Sequence, residues 1–270
     1  MALCDPRLAR WIPSGPPPLL AGEAHVWLVP LEVDASDFLA MDEVLCVEER
    51  DRAARFKIAG GRERYTMGRG FLRVLLGHYV KVEPAALTFR YNSYGKPSLS
   101  DAGGNPGSVA PIGFNLSHSG GYAVLGFTRE GELGVDIEKY REEVLREKLA
   151  DRFFAPQEAQ ELASLPPEDQ LPGFFACWTR KEAYIKARGD GLSRSLSSFA
   201  VSLRAQEPAV LRWCHDDPGV SSRWRVWNLS VPTGYAGCLV GPAGAARCRE
   251  FDLTGVIKPQ LVSGAGSATH

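Results

Sequence analysis

The sequence predicts an α+β protein made of two similar halves related by a pseudo-twofold, each a small, mostly antiparallel sheet packed with helices. Three observations carry this. Each half opens with a strand, continues through helices and closes in strands. Gly121-Tyr122-Ala123, near the end of the first half, is echoed by Gly234-Tyr235-Ala236, near the end of the second. The length of 270 residues suits one large domain or two small ones, each able to bury a core. On this reading residues 1–20 are an extended arm, 21–130 the N-terminal half, 131–250 the C-terminal half, and 251–270 a frayed tail.

The elements follow in order. The prolines of the first twenty residues suggest extended chain. Residues 24–31 (AHVWLVPL) read as a strand with Pro30 near its end. Residues 36–58 are helical, with Asp34 or Ser36 as N-cap. The helical pattern then turns basic, and Gly60-Gly61 divides it. The second helix, 62–80, offers Tyr65, Phe71, Leu72, Leu75 and Leu76 as a core face. A short strand at 87–91 precedes a turn containing Gly95-Lys96-Pro97, and 101–113 is a Gly/Pro-rich surface loop. Residues 114–127 give two strands joined by Ser-His-Ser-Gly-Gly, and 132–140 a third. Residues 141–165 are helical, with Phe153 and Phe154 as core. Leu165-Pro166-Pro167 interrupts, and 174–188 is a central helix stopped by Gly189 and Gly191. Strands at 198–203, 210–214, 224–230 and 235–240 complete the second half.

Composition excludes several classes. The chain is 44 % hydrophobic and 23 % charged with a net charge of −1, an ordinary globular balance. Such neutrality argues against general nucleic-acid affinity, which needs a basic surplus. No apolar run reaches the roughly 20 residues that span a bilayer, and the N-terminus lacks a secretory h-region. None of the six cysteines is paired as C-x-x-C, so zinc spacing is absent. Free thiols fit a reducing cytoplasm.

The chemistry concentrates on two segments. In the strand at 132–140, Asp136 and Glu138 are two apart, so both carboxylates leave one face while Val135 and Ile137 leave the other. In the central helix, Glu182 and Lys186 are four apart and share a face, with Lys181 one step round. Asp136, Glu138 and Glu182 make three hard oxygen ligands, a set suited to Mg²⁺ shared with substrate phosphates. Lys181, Lys186, Lys96 on its turn and His118 among serines and glycines are candidate phosphate partners, so the set suits phosphoryl transfer. Each feature also has a plain alternative: a solvated Glu-to-Lys pair, an edge strand with two exposed acids, an ordinary structural histidine. The arginines between 48 and 73 read equally as a solvated face or an anion site.

Five motifs then carry a resemblance. Gly134-Val135-Asp136-Ile137-Glu138 and, about forty residues on, Trp178-Thr179-Arg180-Lys181-Glu182-Ala183-Tyr184-Ile185-Lys186 resemble the G-[IV]-D-x-E and W-x-x-K-E-A-x-x-K of the 4′-phosphopantetheinyl transferase superfamily. Asn115-Leu116-Ser117-His118-Ser119 is similar to its N-x-S-H-S, Tyr94-Gly95-Lys96-Pro97 to its Y-G-K-P turn, and Arg152-Phe153-Phe154 through Glu158 to its R-F-F-x-x-x-E. The two-halved length resembles the monomeric Sfp-type branch, with the active site between the halves.

The resemblance implies a reaction. Coenzyme A gives its 4′-phosphopantetheine arm to a serine of an apo carrier protein (acyl, peptidyl or aryl), and adenosine 3′,5′-bisphosphate leaves. It implies Mg²⁺, or Mn²⁺ in its place, on Asp136, Glu138 and Glu182. Glu182 or a water it orients takes the serine proton, Lys186 serves the leaving phosphate, and Asp136 is essential as a ligand. Lys181 is a further phosphate partner. Lys96, Pro97, Ser117 and His118 hold the nucleotide, and Arg52 and Arg64 are candidates for its 3′-phosphate. Three residues before Arg52, where relatives are often basic, stands Glu49. Two alternatives stay open: another Mg²⁺-dependent phosphoryl-transfer enzyme, and a non-catalytic coenzyme A-binding module. Carrier proteins are acidic helical bundles as a class, so a docking face should be apolar with a cationic rim. Residues 142–171 are the candidate, with Val144, Leu145, Leu149, Leu162 and Leu165 at helical spacing among Arg141, Arg146, Lys148 and Arg152. The alternative is that these apolar residues are core.

Overall fold

The computed structural model describes residues 6–9, 11–100, 112–191, 194–204 and 207–256. Of the loop read over 101–113, residues 101–111 lie outside the described residues and Gly113 already begins a strand; of the tail read as frayed over 251–270, residues 257–270 lie outside them, while 251–252 end a strand and 254–256 form a 3-10 turn. The chain opens with a turn of helix, α1 (Pro6–Ala9). The arm is not extended from the body: Leu8, Trp11 and Leu19 are buried, and the Trp11 ring meets Phe71 edge-on at 5.5 Å. Three apolar side chains on a proline-rich segment gain more by covering the core than by standing in water.

β1 (Glu23–Pro30) is buried along its whole length. α2 (Ala35–Asp42) is capped by Asp34, whose carboxylate accepts the Asp37 N–H at 3.0 Å. The helix predicted over 36–58 is two helices, because Cys46 is extended (φ −75°, ψ 170°) and starts α3 (Val47–Ala54), with Glu49 accepting the Cys46 N–H at 3.1 Å. α4 (Gly61–Val80) fills the N-terminal core with Phe71, Leu72, Leu75 and Leu76. A hairpin of β2 (Phe89–Tyr91) and β3 (Pro97–Leu99) leads to β4 (Gly113–Ser119), β5 (Tyr122–Thr128) and β6 (Gly134–Lys139). Short helices α5 (Glu143–Arg146), α6 (Leu149–Phe153) and α7 (Pro156–Ala163) precede the long α8 (Pro167–Arg188). β7 (Phe199–Val201), β8 (Leu211–Cys214), α9 (Val220–Arg223), β9 (Trp224–Asn228), β10 (Tyr235–Pro242) and β11 (Arg247–Asp252) follow.

The strands form a four-stranded sheet in the order β11-β1-β5-β4 and a three-stranded sheet in the order β6-β10-β9, besides two hairpins. Among the described strands all pairings are antiparallel except β1 with β11. β11 therefore returns to the sheet of the N-terminal half. The sequence pattern misses it because four of its six residues are charged. Its anchor is Phe251, stacked on Trp27 at 4.2 Å.

Apolar residues gather in three clusters. One lies under α4 and one around α8. The third joins the two sheets, with Val26, Leu28 and Val124 against Val135, Ile137 and Leu239. Gly134 allows α8 to lie directly on β6, since a Cβ there would stand 2.1 Å from the Ala183 carbonyl oxygen. This close approach sets the helix face of Glu182 and Lys186 beside the strand face of Asp136. The described cysteines are all free, and among the described residues no helix is long and apolar enough to cross a membrane.

Candidate active site

β4 is stitched to β6 by side chains at every second position. Asn115 Oδ1 accepts the Val135 N–H at 2.9 Å, Ser117 Oγ donates to Asp136 Oδ1 at 2.8 Å, and Ser119 Oγ donates to Glu138 Oε2 at 2.9 Å. The two acids are thus held by hydroxyls from a neighbouring strand. Lys186 reaches in from α8 and donates to Asp136 Oδ1 at 2.6 Å and to Ser117 Oγ at 2.9 Å. Ser117, His118, Asp136, Glu138, Trp178, Glu182 and Lys186 line one open cavity.

Electrostatics there are unbalanced. Burial raises the Glu138 carboxyl above its usual range, and the Asp136 charge adds to it. Glu182 is raised in the same way, by burial first and then by Asp136 and Glu138, with Lys186 opposing. His118, at the mouth, is lowered by partial burial and by the positive charges of Lys186 and Arg64. Crowded carboxylates of one sign ask for a cation. Asp136 Oδ2 is buried and accepts no hydrogen bond, so its lone pairs are open to such a guest. Among the described residues no three acids, cysteines or histidines are already gathered tightly enough to hold an ion. Lys186 instead occupies Asp136. The donor set, all carboxylate oxygen on rigid elements with one oxygen unsatisfied, fits a hard divalent ion.

Lys181 corrects the sequence reading. It is not a phosphate partner but a fully buried structural group, 2.7 Å from Glu158 Oε2 and donating to the carbonyls of Leu196 and Phe199 at 2.8 and 2.6 Å. One helical step is about 100°, so while Glu182 and Lys186 face the cavity, Lys181 faces the interior. Lys96 is also committed. Its ammonium donates to the carbonyls of Leu133 and Ala187 at 3.2 and 3.1 Å and pairs with Glu132, clasping the β2–β3 hairpin to the end of α8. Burial pulls the Lys96 ammonium below its usual value. Pro97 opens β3 beside it, half-buried.

The arginines divide clearly. Arg50 caps α2 by donating to the Asp42 and Glu43 carbonyls. Arg69 and Arg73 are held by buried Glu49, the latter at 2.6 Å. Arg52 is exposed, its guanidinium 5.7 Å from the Tyr65 ring centre. Arg64 donates to the Ala59 carbonyl at 2.7 Å, with its charge felt at His118. The expected docking residues of 142–171 are core: Val144, Leu162 and Leu165 are buried, and Leu145 and Leu149 pack against the same cluster. They lie on the sides of α5, α6 and α7, and of the bend before α8, that face this cluster. Sequence reading missed Asn115, Ser119 and Trp178 as site residues. The signal for the first two was present, since period two puts Asn115, Ser117 and Ser119 on one face.

A lysine and three repelling carboxylates around an open cavity are not a packing face. Comparison with known proteins narrows the class. Residues 132–240 match the family described as the 4′-phosphopantetheinyl transferase superfamily, and residues 32–129 the one described as 4′-phosphopantetheinyl transferase, N-terminal. The chain is 41 % identical over 203 residues to the 4′-phosphopantetheinyl transferase HetI of Nostoc sp., a match covering 75 % of this chain and 84 % of HetI. It is 34 % identical over 204 residues to a putative 4′-phosphopantetheinyl transferase, slr0495, of Synechocystis sp., covering 76 % and 78 %. To the 4′-phosphopantetheinyl transferase Sfp of Bacillus subtilis it is 28 % identical over 183 residues, covering 64 % and 77 %. The chain belongs to the 4′-phosphopantetheinyl transferase superfamily.

Proposed function

We propose that this chain moves 4′-phosphopantetheine from coenzyme A to a serine of apo acyl, peptidyl or aryl carrier proteins, acting as a monomer at the cavity between its halves. The carrying observation is Asp136, with one oxygen bound to Lys186 and Ser117 and the other buried without a partner. The two halves are read as pseudo-twofold repeats, each laying one long helix, α4 or α8, on a sheet. The family supports the reaction class.

Asp136, Glu138 and Glu182 would hold Mg²⁺, with Mn²⁺ as a substitute. When bound, the ion supplies positive charge to the pyrophosphate of coenzyme A. The serine oxygen bonds to the β-phosphorus, the bond from that phosphorus to the bridging oxygen breaks, and adenosine 3′,5′-bisphosphate departs. The serine proton passes to Glu182 or to a water it orients, and the environment that raises Glu182 suits a proton acceptor. Lys186 sits where its charge can meet the departing phosphate oxygen. Ser117, through its hydroxyl, fixes both Lys186 and Asp136. Arg52, Arg64 and His118 take the 3′-phosphate, while Glu49, Arg69 and Arg73 brace α3 against α4. Pro97 and the Lys96 turn flank the nucleotide.

The test is direct. The protein is mixed with coenzyme A, Mg²⁺ and an apo carrier protein, and the carrier is weighed by mass spectrometry. Gain of one phosphopantetheine group, stopped by a chelator, is the expected result. Coenzyme A binding without any mass gain would instead mean a binding module, and full activity in excess chelator would sink the metal assignment.

A further inference from the structure

The turn between α3 and α4 exposes two large apolar side chains within three residues, Phe56 at 43 % and Ile58 at 76 %. Exposed apolar residues are ordinary when scattered singly. This pair stands on a built tip. The Gly61 N–H donates to the Ile58 carbonyl at 2.9 Å, Gly60 takes φ +71°, and Phe56 packs on Gly61 and on the Tyr65 ring at 5.4 Å. Cations surround it. Residues 52–64 carry Arg52, Arg55, Lys57, Arg62 and Arg64 against one acid, Glu63, in a chain whose net charge is −1.

The tip opens the helix that runs to the cavity: two turns on, Gly68 of α4 lies against Leu116, which lines the cavity beside His118. Arg64 grips the Ala59 carbonyl, next to Ile58, and the same guanidinium acts on His118 at the mouth. Phe56 and Arg52 rest on the same Tyr65 ring. A macromolecular substrate whose serine enters that mouth must touch the protein beside it, and the apolar residues of 142–171 are already spent on the core.

We propose that the Phe56–Ile58 tip is the docking surface for the carrier protein. It takes a partner with an apolar patch rimmed by acidic residues, apolar side chains supplying contact and Arg55, Lys57 and Arg62 supplying complementary charge. This rests on the transferase reading above.

Steady-state kinetics on Ile58→Asp and Lys57→Glu test it. Both residues are exposed, so melting temperatures should match wild type. The expected result is a carrier KM raised about tenfold or more in Ile58→Asp, and a smaller, salt-dependent rise in Lys57→Glu, with the KM for coenzyme A unchanged. Carrier KM values within twofold of wild type in both variants would overturn the proposal. So would unchanged carrier KM together with loss of binding to phosphatidylglycerol vesicles, which would assign the tip to a membrane surface. If wild type modified no carrier, the transferase reading would fail by itself. Docking is then judged by calorimetric binding of apo carrier in chelator, where equal affinity of wild type and Ile58→Asp overturns it and a tenfold loss supports it.

Discussion

Lys181 and Lys186 leave the same helix, and each holds a carboxylate, at 2.7 and 2.6 Å. Their surroundings differ completely. Lys181 and Glu158 are both inaccessible to solvent, and every strong partner is supplied: Glu158 also accepts the N–H groups of Ala155 and Val201 at 2.8 and 2.7 Å. Lys186 is 29 % exposed on an open cavity, and its partner Asp136 keeps one buried oxygen bare. A sealed pair with all hydrogen bonds made can only hold structure. A pair left half-satisfied at a cavity is ready to be rearranged by a substrate or an ion. The contrast shows that salt-bridge distance says little about role; what remains unsatisfied around the pair says more.

Substitutions can break this contrast. The largest effect is expected at Asp136→Ala, which should cost transfer at least about 10³-fold, or about 4 kcal/mol in barrier, while the melting temperature stays close to wild type. If that variant melted as early as a Lys181 variant, the two pairs would not differ in kind. Lys181→Ala comes next. It strands a buried Glu158 charge, and such breaks cost about 3–5 kcal/mol, lowering the melting temperature by roughly 6–20 °C for a chain of this size. Turnover per folded molecule should survive at low temperature. Replacing both partners, Lys181→Met with Glu158→Leu, should restore much of the stability.

Lys186→Ala sharpens the comparison from the other side. Turnover should fall about 10²-fold, about 2.7 kcal/mol, with little change in the KM for coenzyme A. Normal turnover would reduce Lys186 to a helix-surface pair. The smallest effect involves a second sealed group, His25, fully buried and bonded to Tyr79 at 2.8 Å. Burial holds its imidazole below the ordinary 6.5, although Glu23 opposes this. The unfolded chain therefore takes a proton that the folded chain refuses, and stability is lost as pH falls through 6.5 toward the folded value. Thermal melts of His25→Gln should show a shallower loss below that pH than wild type; identical pH profiles would exclude the residue as a source of acid sensitivity.

Much of the site was legible because periodicity is local. Two-residue spacing put Asp136 and Glu138 on one face of β6, and four-residue spacing paired Glu182 with Lys186, as the structure has them. The central helix was legible for the same reason, but Ser117, His118 and Ser119, read as part of the connection between two strands, are the last residues of β4, and only Gly120-Gly121 make the turn. Lys181 was misread because spacing relative to Glu182 says which side chains diverge, not which side is covered. Glu158, Leu196 and Phe199, which cover it, come from other segments. The apolar stripe of 142–171 was ambiguous in the same way, and packing against α8 decided it. β11 was hidden because its charges mask an edge strand whose partner, β1, lies more than two hundred residues upstream.

The sequence alone therefore determined the two-part α+β plan, the shared faces of Asp136 with Glu138 and of Glu182 with Lys186, and, through its motifs, the family. Tertiary structure decided which lysine is sealed in the interior and which lines the cavity, which arginines brace helices and which are exposed, and that Phe56 and Ile58 stand in solvent. The reason is physical. Periodicity fixes the relative directions of neighbouring side chains, but the burial and charge balance of each depend on groups brought from distant parts of the chain.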